Sequence, residues 1–250
     1  MFRMLKLNPP HGWRAVMWEL AIVTLGVLIA LGAQQWAEAR SWKAKARVAT
    51  GALRDEVRTH YEYAVEWRVI EPCLYAQIDA LVGRLTNSGD RIDPAPVYSE
   101  PGFDFYVMRM PNRSYRSSAW QAAVNDGVTT HLDPIVRREL GQLHSHLISL
   151  TEATALNNRA YPRLFGLSRS LPLDPGARID SLATLDELRG RVEIMSLRSG
   201  QTIGDIERAG LTPDKAEIAR FVRQGGTYQF CRRMRLPLNS IADAIKPIAE

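Results

Sequence analysis

Residues 18–36 read WELAIVTLGVLIALGAQQW. The strictly apolar core of this stretch, Leu20 to Ala33, is 14 residues long and interrupted only by Thr24. Alone it would suit a buried soluble helix or the core of a cleaved signal peptide. Extended back to Ala15 it reaches 19 residues with Glu19 as the only charge. At about 1.5 Å per residue it then covers roughly 28 Å, close to the hydrocarbon thickness of a bilayer. Trp18 and Trp36 would sit about 27 Å apart, at opposite interfaces, as an aromatic belt. Trp13 and Trp42 lie just outside them, so four of the six tryptophans gather around one segment. The expectation is a single transmembrane helix over 15–36. A signal peptide would use Arg3, Lys6 and Arg14 as its basic region, but Glu19 interrupts the entry and the helical pattern continues past any cut at Ala30-Leu31-Gly32.

Glu19, Val23, Gly26, Ala30, Ala33 and Ala37 repeat at spacings of three and four and share one helix face. Apart from Glu19 and Val23 that face is small, and small faces let helix backbones approach closely in lipid. It reads as a seam for self-association or for another membrane protein, or as the ordinary abundance of Gly and Ala in spans. Behind the span, Arg40, Lys43, Lys45 and Arg47 could contact anionic lipid headgroups or form a solvated face. The basic residues flanking the span are nearly balanced, so they do not fix its direction. The 214 residues of 37–250 would translocate largely regardless of charge. Cys73 and Cys231, the only two cysteines, could form one disulfide in an oxidising compartment or remain buried thiols. The expected arrangement is a short cytoplasmic 1–14, the span, and a periplasmic 37–250. Residues 1–14 are too short for an output domain of their own.

The rest of the chain reads as all-α. An apolar stripe through Ala49, Leu53, Val57 and Tyr61 predicts that the span continues as a stem to about Glu71, where Pro72 stops it. Leu74, Ile78, Leu81 and Leu85 predict a second segment over 73–85. Residues 87–116, rich in Pro, Gly and Asn, read as one long irregular loop with an extended piece over 103–108. Ser118 would cap a helix to Asn125, with Gly127 at its end. Asp133-Pro134 opens a helix with a seam of Val136, Leu140, Leu143, Leu147 and Leu150. Thr184-Leu-Asp-Glu187 matches a capping box for a helix carrying Leu185, Leu188, Val192, Met195, Ile203 and Ile206. Thr212-Pro213 opens another helix, closed by Gly225-Gly226, and Ile241, Ile245 and Ile248 mark a terminal one. Successive amphipathic helices predict an antiparallel helical bundle.

The run from Glu19 through Val23 and Gly26-Val-Leu-Ile-Ala-Leu31, with Trp36-x-Glu38 behind it, resembles the anchor of a family of uncharacterised bacterial single-span inner-membrane proteins. Ala119 to Gly127 (AWQAAVNDG) is similar to that family's short Trp-containing helix ending in Gly. Gln34-Gln35 replaces the polar pair usual before the Trp, and the C-terminal third has no counterpart. The resemblance implies an inner-membrane location and a helical domain, and implies no chemistry.

Chemistry is sparse in the sequence. His144 and His146 stand two apart, on opposite helix faces, and cannot grip one metal. No nucleophile elbow, zinc helix or phosphate loop occurs, and Cys73 has no neighbouring His. Glu66 and Glu71 flank Tyr61, Tyr63, Trp67 and Tyr75, which could line a ligand pocket or pack as core. The net charge of +5 is spread along the chain, and the cluster Arg232-Arg233-Met234-Arg235 lacks aromatic interleaving, so nucleic acid is not expected as a partner. The reading is a membrane-anchored scaffold or accessory protein of the bacterial envelope, with no catalysis, cofactor or metal. A ligand-sensing helical module is the alternative, and an unrecognised enzyme the more distant one.

Overall fold

The computed structural model describes residues 12–100 and 103–246. Helix α1 runs unbroken from Gly12 to Asn87, 76 residues, with Pro72 inside it. At about 1.5 Å per residue it is roughly 114 Å long. The expected stop at Pro72 does not occur. A proline lacks the N–H that would bond the carbonyl four residues back, here that of Arg68. That carbonyl instead accepts from Asn239 Nδ2 at 2.8 Å, and the Asn239 backbone N–H donates to the Val69 carbonyl at 2.9 Å. The Arg68 guanidinium in turn donates to the Ala244 carbonyl at 2.9 Å. The C-terminal segment thus satisfies the acceptors that Pro72 leaves open, and the helix continues.

The stem is not a free rod either. From Leu53 onward α1 is the central helix of the domain, with Leu53, Val57, Tyr61, Trp67, Ile70, Leu74, Ile78 and Leu85 buried. Helix α4, Pro175–Arg208, packs on it, and helix α3, Pro134–Leu164, packs on α4. Tyr61 meets Glu207 at one end and Arg178 meets the Leu85 carbonyl at the other, so α4 runs antiparallel to α1. Glu139–Arg208 and Asn157–Arg191 pairs make α3 antiparallel to α4. The seams Leu140-Leu143-Leu147-Leu150 and Leu185-Leu188-Val192-Met195-Ile203-Ile206 fill the space between the three helices. The fold is all-α, as the periodicity implies, with one small ribbon.

That ribbon lies inside the 87–116 segment: β1, Tyr98–Glu100, pairs antiparallel with β2, Phe103–Tyr106. The rest of the segment is pinned by backbone bonds, Ile92 N–H to Leu171 O at 2.9 Å and Ala95 N–H to Leu167 O at 2.8 Å. Helix α2, Ser118–Asn125, begins one residue earlier than a Ser118 cap requires. Its cap comes from α1: the Glu56 carboxylate accepts from Ala119 N–H at 2.7 Å and Trp120 N–H at 3.3 Å. Gly127 takes the left-handed conformation, φ 70°, that ends α2 and starts a 3-10 turn over Val128–His131. Asp133 caps α3 through Ile135 N–H at 2.8 Å.

The capping box at Thr184–Glu187 is not a helix start. It lies inside α4, where the Thr184 hydroxyl donates back to the Asp180 carbonyl at 2.9 Å. Asp174-Pro175 is the true start, with Asp174 accepting from Ala177 N–H at 2.9 Å. Helix α5, Lys215–Gln224, is capped by Asp214 rather than opened at Thr212-Pro213. Gly225 ends α5 and begins α6, Gly226–Arg233, a helix the sequence reading missed. Helix α7, Ile241–Ala244, is capped by Ser240. Ile248 falls outside the described residues.

Candidate functional site

The first region with functional character is the lower third of α1. Trp13, Trp18, Leu20, Ile22, Val23, Leu25, Val27, Leu28, Ile29, Leu31 and Trp36 are all exposed, although apolar. An apolar surface exposed on every face of a helix has no counterpart in a water-soluble domain. This is the one helix among the described residues long and apolar enough to cross a membrane. The face of Glu19, Val23, Gly26, Ala30, Ala33 and Ala37 is exposed throughout. A Cβ placed on Gly26 would meet nothing within 4 Å, so no part of the described chain covers that seam.

The four tryptophans do not share one environment. Trp13, Trp18 and Trp36 are exposed, and the Arg40 guanidinium lies 5.5 Å over the Trp36 ring. Trp42 is half-buried: it stacks on His131 at 4.3 Å, with the Lys45 ammonium 4.5 Å above its ring. Trp42 therefore ties the 3-10 turn to α1. Arg40, Lys43, Lys45 and Arg47 are exposed around this junction, so the base of the domain carries its basic residues where the apolar surface ends.

The second region is a polar cavity of about 420 Å³ between the strand-to-helix loop, α3 and the start of α6. Gln77 on α1 braces the loop that lines it from behind. Its amide accepts from Arg109 N–H at 2.7 Å and donates to the Arg109 carbonyl at 3.2 Å, holding residues 106–113 as a backbone strand would. Arg113 then reaches inward and forms a bidentate pair with fully buried Glu66, at 2.7 and 2.8 Å. Its guanidinium lies over the adjacent rings of Tyr63 and Phe221, at 5.1 and 5.2 Å. Burial works against its charge, but the Glu66 hydrogen bonds and charge outweigh it and push the Arg113 pKa up. Arg109 is buried with its guanidinium 5.2 Å over Tyr106.

Two glycines make this packing possible. A Cβ on Gly225 would lie 2.7 Å from Glu66 Oε1, and one on Gly226 would lie 2.9 Å from Arg109 Nη2. Helix α6 is fastened in place by the Cys73–Cys231 disulfide, which closes a separation of 158 residues and joins α6 to α1. Cys73, Tyr106, Phe230 and Cys231 form a small buried cluster beside the cavity.

The aromatic patch around Glu66 and Glu71 does not form one pocket. Tyr61 and Trp67 are core, Tyr63 supports Arg113, and Glu71 faces a separate surface cleft with Arg68. The histidines are scattered. His60 is buried with Nε2 2.8 Å from the Arg116 carbonyl, His131 holds Trp42, and His146 Nδ1 lies 2.9 Å from Asp205 Oδ2. Among the described residues no group of three or more His, Cys, Asp or Glu could hold a metal ion. Sequence reasoning missed Arg109, Arg113 and Thr227. The available signal was Glu66 within a run buried on most faces, which requires a cationic partner from elsewhere. No family model, curated protein or solved structure matches the chain.

Proposed function

We propose that this protein is a membrane-anchored scaffold or accessory subunit of the bacterial envelope, without catalytic activity of its own. The observation that carries the reading is the small-residue seam of α1, from Glu19 to Ala37, which no part of the described chain covers although it belongs to the same helix as the domain core. Such a seam is suited to close helix–helix packing in lipid, with a second copy or another membrane protein. The exposed Arg40, Lys43, Lys45 and Arg47 suit anionic headgroups at the base of the domain. The Cys73–Cys231 disulfide supports a domain on the periplasmic side, with residues 1–14 in the cytoplasm of a cell bounded by an inner membrane. The resemblance of the anchor to the bacterial single-span family points the same way.

Co-purification of the full chain in mild detergent tests the reading. A reproducible partner or a dimer is expected, and Gly26→Leu with Ala30→Leu should abolish it while the domain stays folded. A monomer with no reproducible partner would refute it. A reporter fused to the C-terminus should report a periplasmic location.

A second reading, a ligand-sensing helical module, is favoured by the cavity between α3, α6 and the 106–113 loop. In that case a signal would travel along α1 and leave through a partner of the span.

A further inference from the structure

The cavity bounded by α3, α6 and residues 106–113 is polar but offers no free charge. Its volume of about 420 Å³ falls in the range of small-molecule sites. Among the described residues that line it there is no carboxylate. Its two cations are engaged within the fold. Arg113 is neutralised by Glu66 at 2.7 and 2.8 Å. Arg109 lies over Tyr106 and already has a partner. A charged ligand would therefore give up its hydration without gaining a counter-charge. The remaining polar groups on the walls are neutral amides and hydroxyls.

One face of α3 supplies most of these groups. Thr154, Asn157, Asn158 and Tyr161 stand three and four residues apart and line the cavity together over two turns. The buried leucine seam of the helix gives way there to Ala153, Asn157 and Ala160. Asn157 is only 6% exposed. Its Oδ1 accepts from Arg191 Nε at 2.9 Å, but its Nδ2 meets the Met195 sulfur at 3.5 Å. A thioether is a weak acceptor and the amide carries a second N–H, so a deeply buried donor is left for an oxygen in the cavity. Burial raises the Tyr161 pKa beyond what nearby Arg109 takes back, so its hydroxyl stays protonated and both donates and accepts at neutral pH. The facing wall adds the Asn112 amide and the apolar edge of Met110 and Pro111. Gln77 holds that wall and the disulfide holds α6, so the site is in position before any ligand arrives.

We infer that this cavity binds an uncharged saccharide of one or two rings, with its hydroxyls on the amides of Asn157, Asn158 and Asn112 and a carbon face of the ring against Tyr161. A sugar carries hydroxyls that donate and accept around its rim, and C–H groups on its faces. Side-chain amides answer the hydroxyls in both senses, and a phenol ring with a polar tip answers the faces. Glycolipid headgroups are excluded as the source by distance, because Glu66, at the level of the site, lies about 45 Å along α1 from Trp36. The site rests on the ligand-binding reading of this cavity and is independent of the scaffold reading.

Titration calorimetry on the full chain in phosphatidylcholine nanodiscs, free of glycoside detergents and with the disulfide intact, tests the inference. Glucose, N-acetylglucosamine and maltose serve as probes, with inorganic phosphate beside them. Saturable one-to-one binding of at least one sugar is expected, with a Kd of about 1 mM or tighter. Asn158 is exposed, so Asn158→Ala leaves the fold intact and should weaken binding about fivefold, the usual consequence of losing one neutral hydrogen bond. Tyr161→Phe keeps the ring and removes the hydroxyl, and should weaken binding by a similar factor. No saturable binding of any of the three sugars up to about 10 mM, tenfold above the expected Kd, would overturn the inference. Phosphate bound in their place would keep the cavity as a ligand site and overturn its saccharide chemistry. Sugar binding that both variants leave unchanged would overturn the assignment as well, because the sugar would then sit elsewhere.

Discussion

One helix carries two kinds of apolar surface. Between Trp18 and Trp36, α1 exposes Leu, Ile and Val on every face and nothing in the described chain touches them. Between Leu53 and Leu85 the same helix buries its apolar residues in the domain core, chiefly against α4. Apolar content alone does not separate these segments, because both are rich in it. The polar residues do. The upper segment carries His60, Glu66, Arg68 and Gln77, and each has a partner from another element. The lower one has Glu19, Thr24, Gln34 and Gln35, three of which sit near its ends. In lipid a polar group away from the interface has no water to turn to, so a span excludes what a protein core tolerates with a partner.

The largest test of the contrast is the disulfide. Replacing Cys73 and Cys231 by Ala frees a loop of 158 residues. In the chain-entropy model this lowers domain stability by about 5 kcal/mol. Chemical denaturation should show that loss, while the fraction of protein recovered with membranes stays unchanged. Next come paired truncations on the one helix. Leu74→Ala removes a fully buried side chain and should cost about 2–5 kcal/mol, whereas Leu28→Ala should leave domain unfolding within about 0.5 kcal/mol of the parent. If Leu28→Ala were equally costly, the lower segment would be protein core. Ile29→Arg reverses the experiment. Its penalty, about 2.5–3.5 kcal/mol at the centre of a span, should appear as failed membrane insertion in carbonate extraction, with little effect on domain unfolding.

Much of this contrast was legible in the sequence. A helix long and apolar enough to cross a membrane announces itself through length and flanking tryptophans, and the core seams of α3 and α4 through the spacing of their leucines. The misreadings share a cause. Pro72, Thr184 and Ser118 were each assigned by local chemistry, and each was overruled by a residue far away or by the rest of the helix. Asn239 fills the acceptors at Pro72, Glu56 caps α2 from another helix, and Asp174 starts α4 ten residues before Thr184. The cavity was illegible for the same reason. Arg109 and Arg113 lie in a loop, Thr227 behind a glycine pair, and Glu66 in a helix, and only the folded chain brings them together. Gly225 and Gly226 read as a helix stop, although their small size serves the approach of Glu66 and Arg109.

The repair at Pro72 gives a smaller prediction. Asn239→Ala removes the donor to the Arg68 carbonyl but keeps the backbone bond to Val69. Because Asn239 is exposed, water can replace the lost donor in part, and a loss of about 1 kcal/mol is expected. Hydrogen exchange of amides around 68–76 should accelerate, and those of 20–36 in a detergent micelle should not.

The smallest effect is graded and separates the segments by pH. Burial lowers the His60 pKa from its ordinary 6.5, against the opposing pull of the Arg116 carbonyl and Glu56. Its Nδ1 has no partner, so protonation would place an unpaired charge in the core. The unfolded chain therefore binds the proton more readily, and stability falls as pH drops below about 6.5 towards the folded value. Glu139 acts in a lower window. Burial alone would raise its pKa, but hydrogen bonds from Arg208 and Arg138 hold it below the ordinary 4.5, so its contribution is present above that value and is lost as pH falls through the folded one. His60→Gln should flatten the upper window of a stability–pH curve and leave the lower one in place. A curve with no slope between about pH 6.5 and 5 would mean that His60 takes up its proton as easily folded as unfolded, and that the upper segment is wetter than its packing implies.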